Sequence, residues 1–124
     1  MATHFASDGV TIGGEYVTAQ AWINFSSSNQ SIHNDYNVSS LSDYGVGDTG
    51  INFTTNIGTY YTAAGMMWSG NTDGNRGASG LMFGSSDTTS ASGSQCRVWS
   101  MYGSAANSAG SKEDSTQIGI NFFQ

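Results

Sequence analysis

Apolar residues in this chain recur at every second position, and over no long window at every third and fourth. Tyr16 to Ser26 places Val17, Ala19, Ala21, Ile23 and Phe25 on one side and Gln20, Trp22 and Asn24 on the other. Tyr36 to Thr55 reads as strand, turn and strand: Val38 and Leu41 lie in the first arm, and Ile51 and Phe53 alternate with Asn52 and Thr54 in the second. Between the arms stand Asp43, Gly45, Gly47, Asp48 and Gly50, residue types that form turns. Further strands are predicted at Tyr60–Trp68, Leu81–Phe83 and Gln95–Tyr102, and a last one at Ile118, Ile120 and Phe122. Glycine interrupts every candidate helix.

The spacers are loops by composition. Ser26–Ser31, Ser69–Gly80, Ser85–Ser94 and Gly103–Ser115 are rich in Ser, Thr, Asn and Gly. Short strands between such turns predict an antiparallel sandwich or barrel. At 124 residues the chain fits one domain, set at residues 16–124. Residues 1–15 are less patterned and are expected to form an arm that docks elsewhere or frays.

Charge excludes several partners. Only 10% of residues are charged, against roughly 25% in ordinary soluble domains, so the polar surface must come from neutral side chains. Net charge is −6, and Arg76, Arg97 and Lys112 are the only Lys or Arg residues. Three scattered cations make no basic patch, so neither nucleic acid nor an anionic membrane surface is an expected partner. No apolar run approaches the ~20 residues of a membrane-spanning helix, so no membrane insertion is expected. The N-terminus has no basic region followed by an apolar core, and synthesis in a cytoplasm, a host cell's included, is expected. Cys96 is the only cysteine. It lies in an alternating strand, where a buried structural thiol is the expectation, and stability must come from elsewhere, oligomerisation being one of the few routes left.

Catalytic and metal chemistry find little support. Asn71, Asp73 and Asn75 have the spacing of a calcium loop's first ligands, but Arg76 replaces the turn glycine and Met82 the bidentate glutamate. A polar turn accounts for them. His4 and His33 are far apart in sequence. No nucleophile elbow, zinc-protease helix, P-loop or dinucleotide fingerprint occurs, and although Glu15, Glu113 and several Asp could pair as glycosidase carboxylates, nothing in the sequence brings them together. A non-enzymatic chain with no cofactor and no metal is the expectation. The aromatic residues are harder to set aside. Trp68 and Trp99 fit a core or a subunit interface, whereas Trp22 and the turn-borne Tyr44 are the candidates for contact with a partner or a glycan.

AWINF (Ala21–Phe25) followed by NVSSLSDYGVGDTGINFTT (Asn37–Thr55) resembles a domain of tail-fibre and appendage proteins of tailed bacteriophages, marine and cyanobacterial phages among them. There a strand A-W-[VI]-N-F precedes a segment like NVSSITDNGTGDYTVNFTT. A tyrosine-containing strand follows, here Tyr60–Trp68, and a short hydrophobic strand closes the domain, here Ile118–Phe123. In this chain Tyr44 and Val46 replace small polar residues, and Gly50 replaces an aromatic or β-branched one. The resemblance implies an all-β, antiparallel, jelly-roll-like β-sandwich that assembles as a homotrimer on the virion surface. It implies a tail-fibre or appendage subunit contributing to host attachment, partnered by other phage structural proteins and by a host glycan or receptor. A trimeric capsid decoration protein and a carbohydrate-binding module are the alternatives. Residues 1–15, with Phe5, Val10 and Ile12, are the expected anchor to the particle.

Overall fold

Alternation becomes pairing: each strand pair described is antiparallel, and the described residues contain no helix. The structure, a computed structural model, describes residues 3–6, 9–12, 15–16, 18–68, 76–83, 93–104 and 111–124. The N-terminal segment forms a small sheet of its own, β1 (Thr3–Ala6), β2 (Gly9–Ile12) and β3 (Glu15–Tyr16). The remaining strands are β4 (Ala21–Ser26), β5 (Ser31–Tyr36), β6 (Val38–Gly45), β7 (Asp48–Phe53), β8 (Thr62–Trp68), β9 (Arg76–Phe83), β10 (Gln95–Ser104), β11 (Ser111–Lys112) and β12 (Gln117–Phe123). They build two larger antiparallel sheets. One runs β5–β4–β12–β8. The other runs β6–β7–β10, with β9 and the short β11 also paired to β10. The result is a β-sandwich-like, all-β arrangement.

The core lies between these sheets. On the four-stranded side, Ile118 pairs with Phe25, Ile120 with Ile23 and Phe122 with Ala21. On the other flank of β12 the partners are Met67, Gly65 and Ala63. Phe122 thus sits between two alanines, and Ile120 beside a glycine, so at these two positions a small residue makes room for a large one. Phe122 meets Phe53 of the opposite sheet edge-to-face, at 5.0 Å and 82°. Ile51, Val38, Cys96 and Val98 complete that opposite layer. Each fully buried Phe or Ile contributes about 1.5–3 kcal/mol of transfer free energy. At Gly65 a β-carbon would stand 2.5 Å from the Gly119 carbonyl oxygen and 2.8 Å from the Ile120 side chain, so the close approach of β8 to β12 requires glycine.

Two irregularities shape β6. Val38 faces Phe53, yet Ser40 faces Asn52, so Ser39 is an extra residue. This bulge explains how Val38 and Leu41, three apart, both pack on the core. A second shift falls between Asp43 and Gly45 and makes Tyr44 the extra residue. The chain changes sheets at Asn37, a single residue between β5 and β6 held at φ 58°. Its side chain bonds the Gln20 carbonyl at 3.1 Å, the Thr55 carbonyl at 3.0 Å and the Thr55 amide at 2.7 Å. Asparagine tolerates this left-handed conformation, and its amide locks three segments together.

Several boundaries differ from the sequence expectations. The predicted strand Tyr16–Ser26 is broken, because the chain bends at Thr18 and Gln20 before β4 begins. The Tyr60–Trp68 strand starts only at Thr62, and β9 extends back to Arg76 into a segment expected to be loop. Strand β5 is not among the strands expected from sequence: it is an edge strand with exposed His33, Asn34 and Asp35, so its apolar alternation is weak. The N-terminal residues, unpatterned in sequence, nonetheless form paired strands.

Candidate recognition surfaces

The outer face of the five-stranded sheet carries most of the chain's described charge chemistry. Asp48 and Arg97 lie on adjoining strands, β7 and β10. Arg97 Nε donates to Asp48 Oδ1 at 2.6 Å and its Nη2 to Oδ2 at 2.9 Å, and Lys112 Nζ donates to Oδ2 at 2.5 Å. The carboxylate is only 4% exposed. Burial alone would raise the Asp48 carboxyl, but the hydrogen bonds and charges of Arg97 and Lys112 outweigh it and hold the group below its usual range. The same cations cover aromatic rings: Arg97 lies 4.1 Å from the Tyr44 ring centre and Lys112 4.0 Å from that of Trp99. Asp48 was expected to be a turn former. It is instead the centre of a two-cation cluster, because its partners arrive from strands 49 and 64 residues later in the chain.

Tyr44 is on β6, two positions before the turn at Val46–Gly47, rather than at the tip of a loop. As the extra residue of a bulge it lies over Gly50, and its hydroxyl donates to Gln95 Oε1 at 3.4 Å. It remains 46% exposed. Val46 occupies the tip. Trp22 sits far from Tyr44 in the fold, half-buried on β4, and its backbone register partner is Tyr36. The two candidate aromatics therefore belong to different sheets and form no joint site.

The outer face of the four-stranded sheet is different in kind. Strands β4, β8 and β12 contain no Asp, Glu, Lys or Arg. Trp68 is 66% exposed and Met66 81% exposed, with Tyr60 and Phe123 also bare. Trp68 was expected in a core or an interface. It is not in the core, because its position on β8 points away from Met67, which packs inward. Trp99 likewise lies on an outer face, against Lys112. Next to Trp68, Asn24, Met66, Gln117 and Gly119 line an open pocket of about 270 Å³. Asn24 Oδ1 is buried there with no hydrogen-bond partner. A larger cleft of about 650 Å³ lies at the sheet-changing corner, lined by Asp35, Tyr36, Asn37 and Thr54 among others.

Other sequence candidates disperse. Cys96 is buried and free, and burial raises its thiol above the usual range. His33 lies exposed on β5, with Nε2 3.3 Å from the Thr116 carbonyl oxygen. Phe5 is on β1 with its Cα opposite Val10 on β2, and Ile12 pairs with Thr3. Asn71, Asp73 and Asn75 lie outside the described residues. Among the described residues no three His, Cys, Asp or Glu side chains are grouped to hold a metal ion. Nothing in sequence marked the pocket beside Trp68, because Asn24, Gln117 and Gly119 come together only through strand pairing; the absence of charge from three strands was the available signal. Comparison with protein families, with curated proteins and with solved structures returns no match.

Proposed function

We propose that this chain is a non-enzymatic structural protein of a tailed phage, a tail-fibre or appendage subunit displayed on the virion surface that contributes to host attachment. The observation that carries the reading is the charge-free outer face of β4, β12 and β8, with Trp68, Met66 and Phe123 exposed on it. A monomer with net charge −6 that keeps such residues bare on one face has a surface built for contact. The resemblance of AWINF and of the β6–β7 hairpin to phage appendage domains supplies the setting.

The chain works as a homotrimer. A modest core, a single buried thiol and several exposed large apolar side chains favour association as the source of added stability. Residues 1–15, with Phe5, Val10 and Ile12, attach it to other phage structural proteins. Two experiments test these roles. Antibody raised against the chain should label the tails of purified particles and block adsorption; labelling absent from particles sinks the virion role. Deleting residues 2–15 should abolish incorporation while leaving the β-sheet circular dichroism intact, and persistent incorporation removes the anchor assignment.

A further inference from the structure

We infer that the cleft at the sheet-changing corner is a binding site for an arginine side chain presented by a basic peptide segment of a partner protein. Asp35, on the edge strand β5, is the register partner of Ile23 on β4. Residues paired across two strands share a face of the sheet, and Ile23 is buried in the core. Asp35 therefore occupies a core-side position, where a carboxylate needs a partner or water. It is exposed there, with the cleft of about 650 Å³ opening beside it. Buried Val38 and Ile57 give that cleft an apolar lining, and Tyr36 and Thr54 add a ring and a hydroxyl.

The lining selects the ligand. Among the described residues, Asp35 is its one charged side chain, while Arg97 and Lys112 are held on Asp48 in the other sheet. The net charge of −6 adds to the field at such a site and draws cations toward it. A neutral ligand seated in the cleft would cover the carboxylate and leave it unpaired, and an anionic one would be repelled. A guanidinium answers the remaining features. It pairs with a carboxylate through two parallel hydrogen bonds and stacks on an aromatic face such as that of Tyr36. Its methylene stem packs on apolar lining such as Val38 and Ile57. The space exceeds one side chain, so flanking peptide residues fit with it. This contact goes beyond the attachment role proposed above, and its test uses the purified full chain, so it stands or falls separately from the chain's place on a particle.

The test is titration with a capped tripeptide carrying arginine at its centre, and with the same tripeptide carrying citrulline, whose neutral urea replaces the guanidinium. Amide shifts report where each binds. The arginine peptide should bind saturably with a Kd of about 1 mM or tighter, with shifts centred on Asp35, Tyr36 and Thr54. Binding should weaken as salt is added, and the citrulline peptide should bind about tenfold more weakly or worse. Asp35→Asn, at an exposed position, should keep the native melting curve and lose binding about tenfold or more. Asp43→Asn removes the same charge from the other sheet and should leave binding unchanged. No saturable binding of the arginine peptide overturns the proposal. So does equal binding of the citrulline peptide, or an equal loss in Asp43→Asn, which would show diffuse attraction only. Self-association that rises in Asp35→Asn, in a chain that binds no peptide, would overturn it too and leave Asp35 as a guard of the sheet edge.

Discussion

Tyr44 lies across Gly50 of the neighbouring strand, its Cε2 2.8 Å from where a β-carbon at residue 50 would stand. The ring covers a gap in the β-sheet surface that glycine leaves, and Arg97 covers the ring in turn. The tyrosine and the glycine are thus one paired feature. Gly50→Val should displace the ring and cost about 1–2 kcal/mol through overpacking. Tyr44→Ala should cost about 1 kcal/mol, mostly the lost cation–π contact and covered surface. Urea unfolding of the two variants and the double variant measures the coupling; strict additivity would show that ring and glycine are independent.

Asp48 makes stability depend on acid. Its carboxyl titrates lower in the folded chain than in the unfolded one, so its contribution is fully present above the unfolded value, about 3.9. That contribution is lost as pH falls through the lower folded value. Thermal unfolding between pH 7 and pH 2 should show a loss below about pH 4 that Asp48→Asn flattens. At neutral pH, Asp48→Ala should cost about 2–4 kcal/mol, since two cations lose their partner, although both keep some exposure to water. An Asp48→Asn variant with the same acid profile as the parent would remove Asp48 as the source.

Asn37 is the corner between the sheets. Asn37→Ala removes three hydrogen bonds and leaves at φ 58° a residue that tolerates the left-handed conformation less well than asparagine, and should cost about 3 kcal/mol. Asn37→Gly keeps the backbone conformation and loses only the bonds, so its cost should be smaller, about 1–2 kcal/mol. Equilibrium unfolding ranks them; equal costs would show that the left-handed backbone carries none of the loss.

Cys96 should be chemically silent in the native chain. It is 1% exposed, and burial raises its thiol. A thiol reagent such as dithionitrobenzoate should react only after unfolding in urea. Stoichiometric reaction of the folded chain would contradict its place in the core.

Much of this fold could be read in advance where one face of a strand is buried. Ile51 and Phe53, and Ile118, Ile120 and Phe122, announce their strands because period-two alternation is what a half-buried strand requires. Strand β5 was hidden because an edge strand with polar residues on both faces has no such pattern. Strand order was hidden too, since β12 inserts between β4 and β8 through pairings that local sequence does not encode. The candidate sites followed the same division. Asp48 looked like a turn residue beside glycines until distant Arg97 and Lys112 were placed on it. Asn24 looked like one polar residue among many until Gly119 and Trp68 were placed beside it.

The proposed place on a phage particle is tested most directly by the copy number of the chain in purified virions of the encoding phage. Quantitative gel analysis against the major capsid protein should find the chain at on the order of tens of copies per particle, a multiple of three as closed trimers require. Hundreds of copies would assign it to the capsid surface as a decoration protein, and absence from the particle would rule out a virion role altogether.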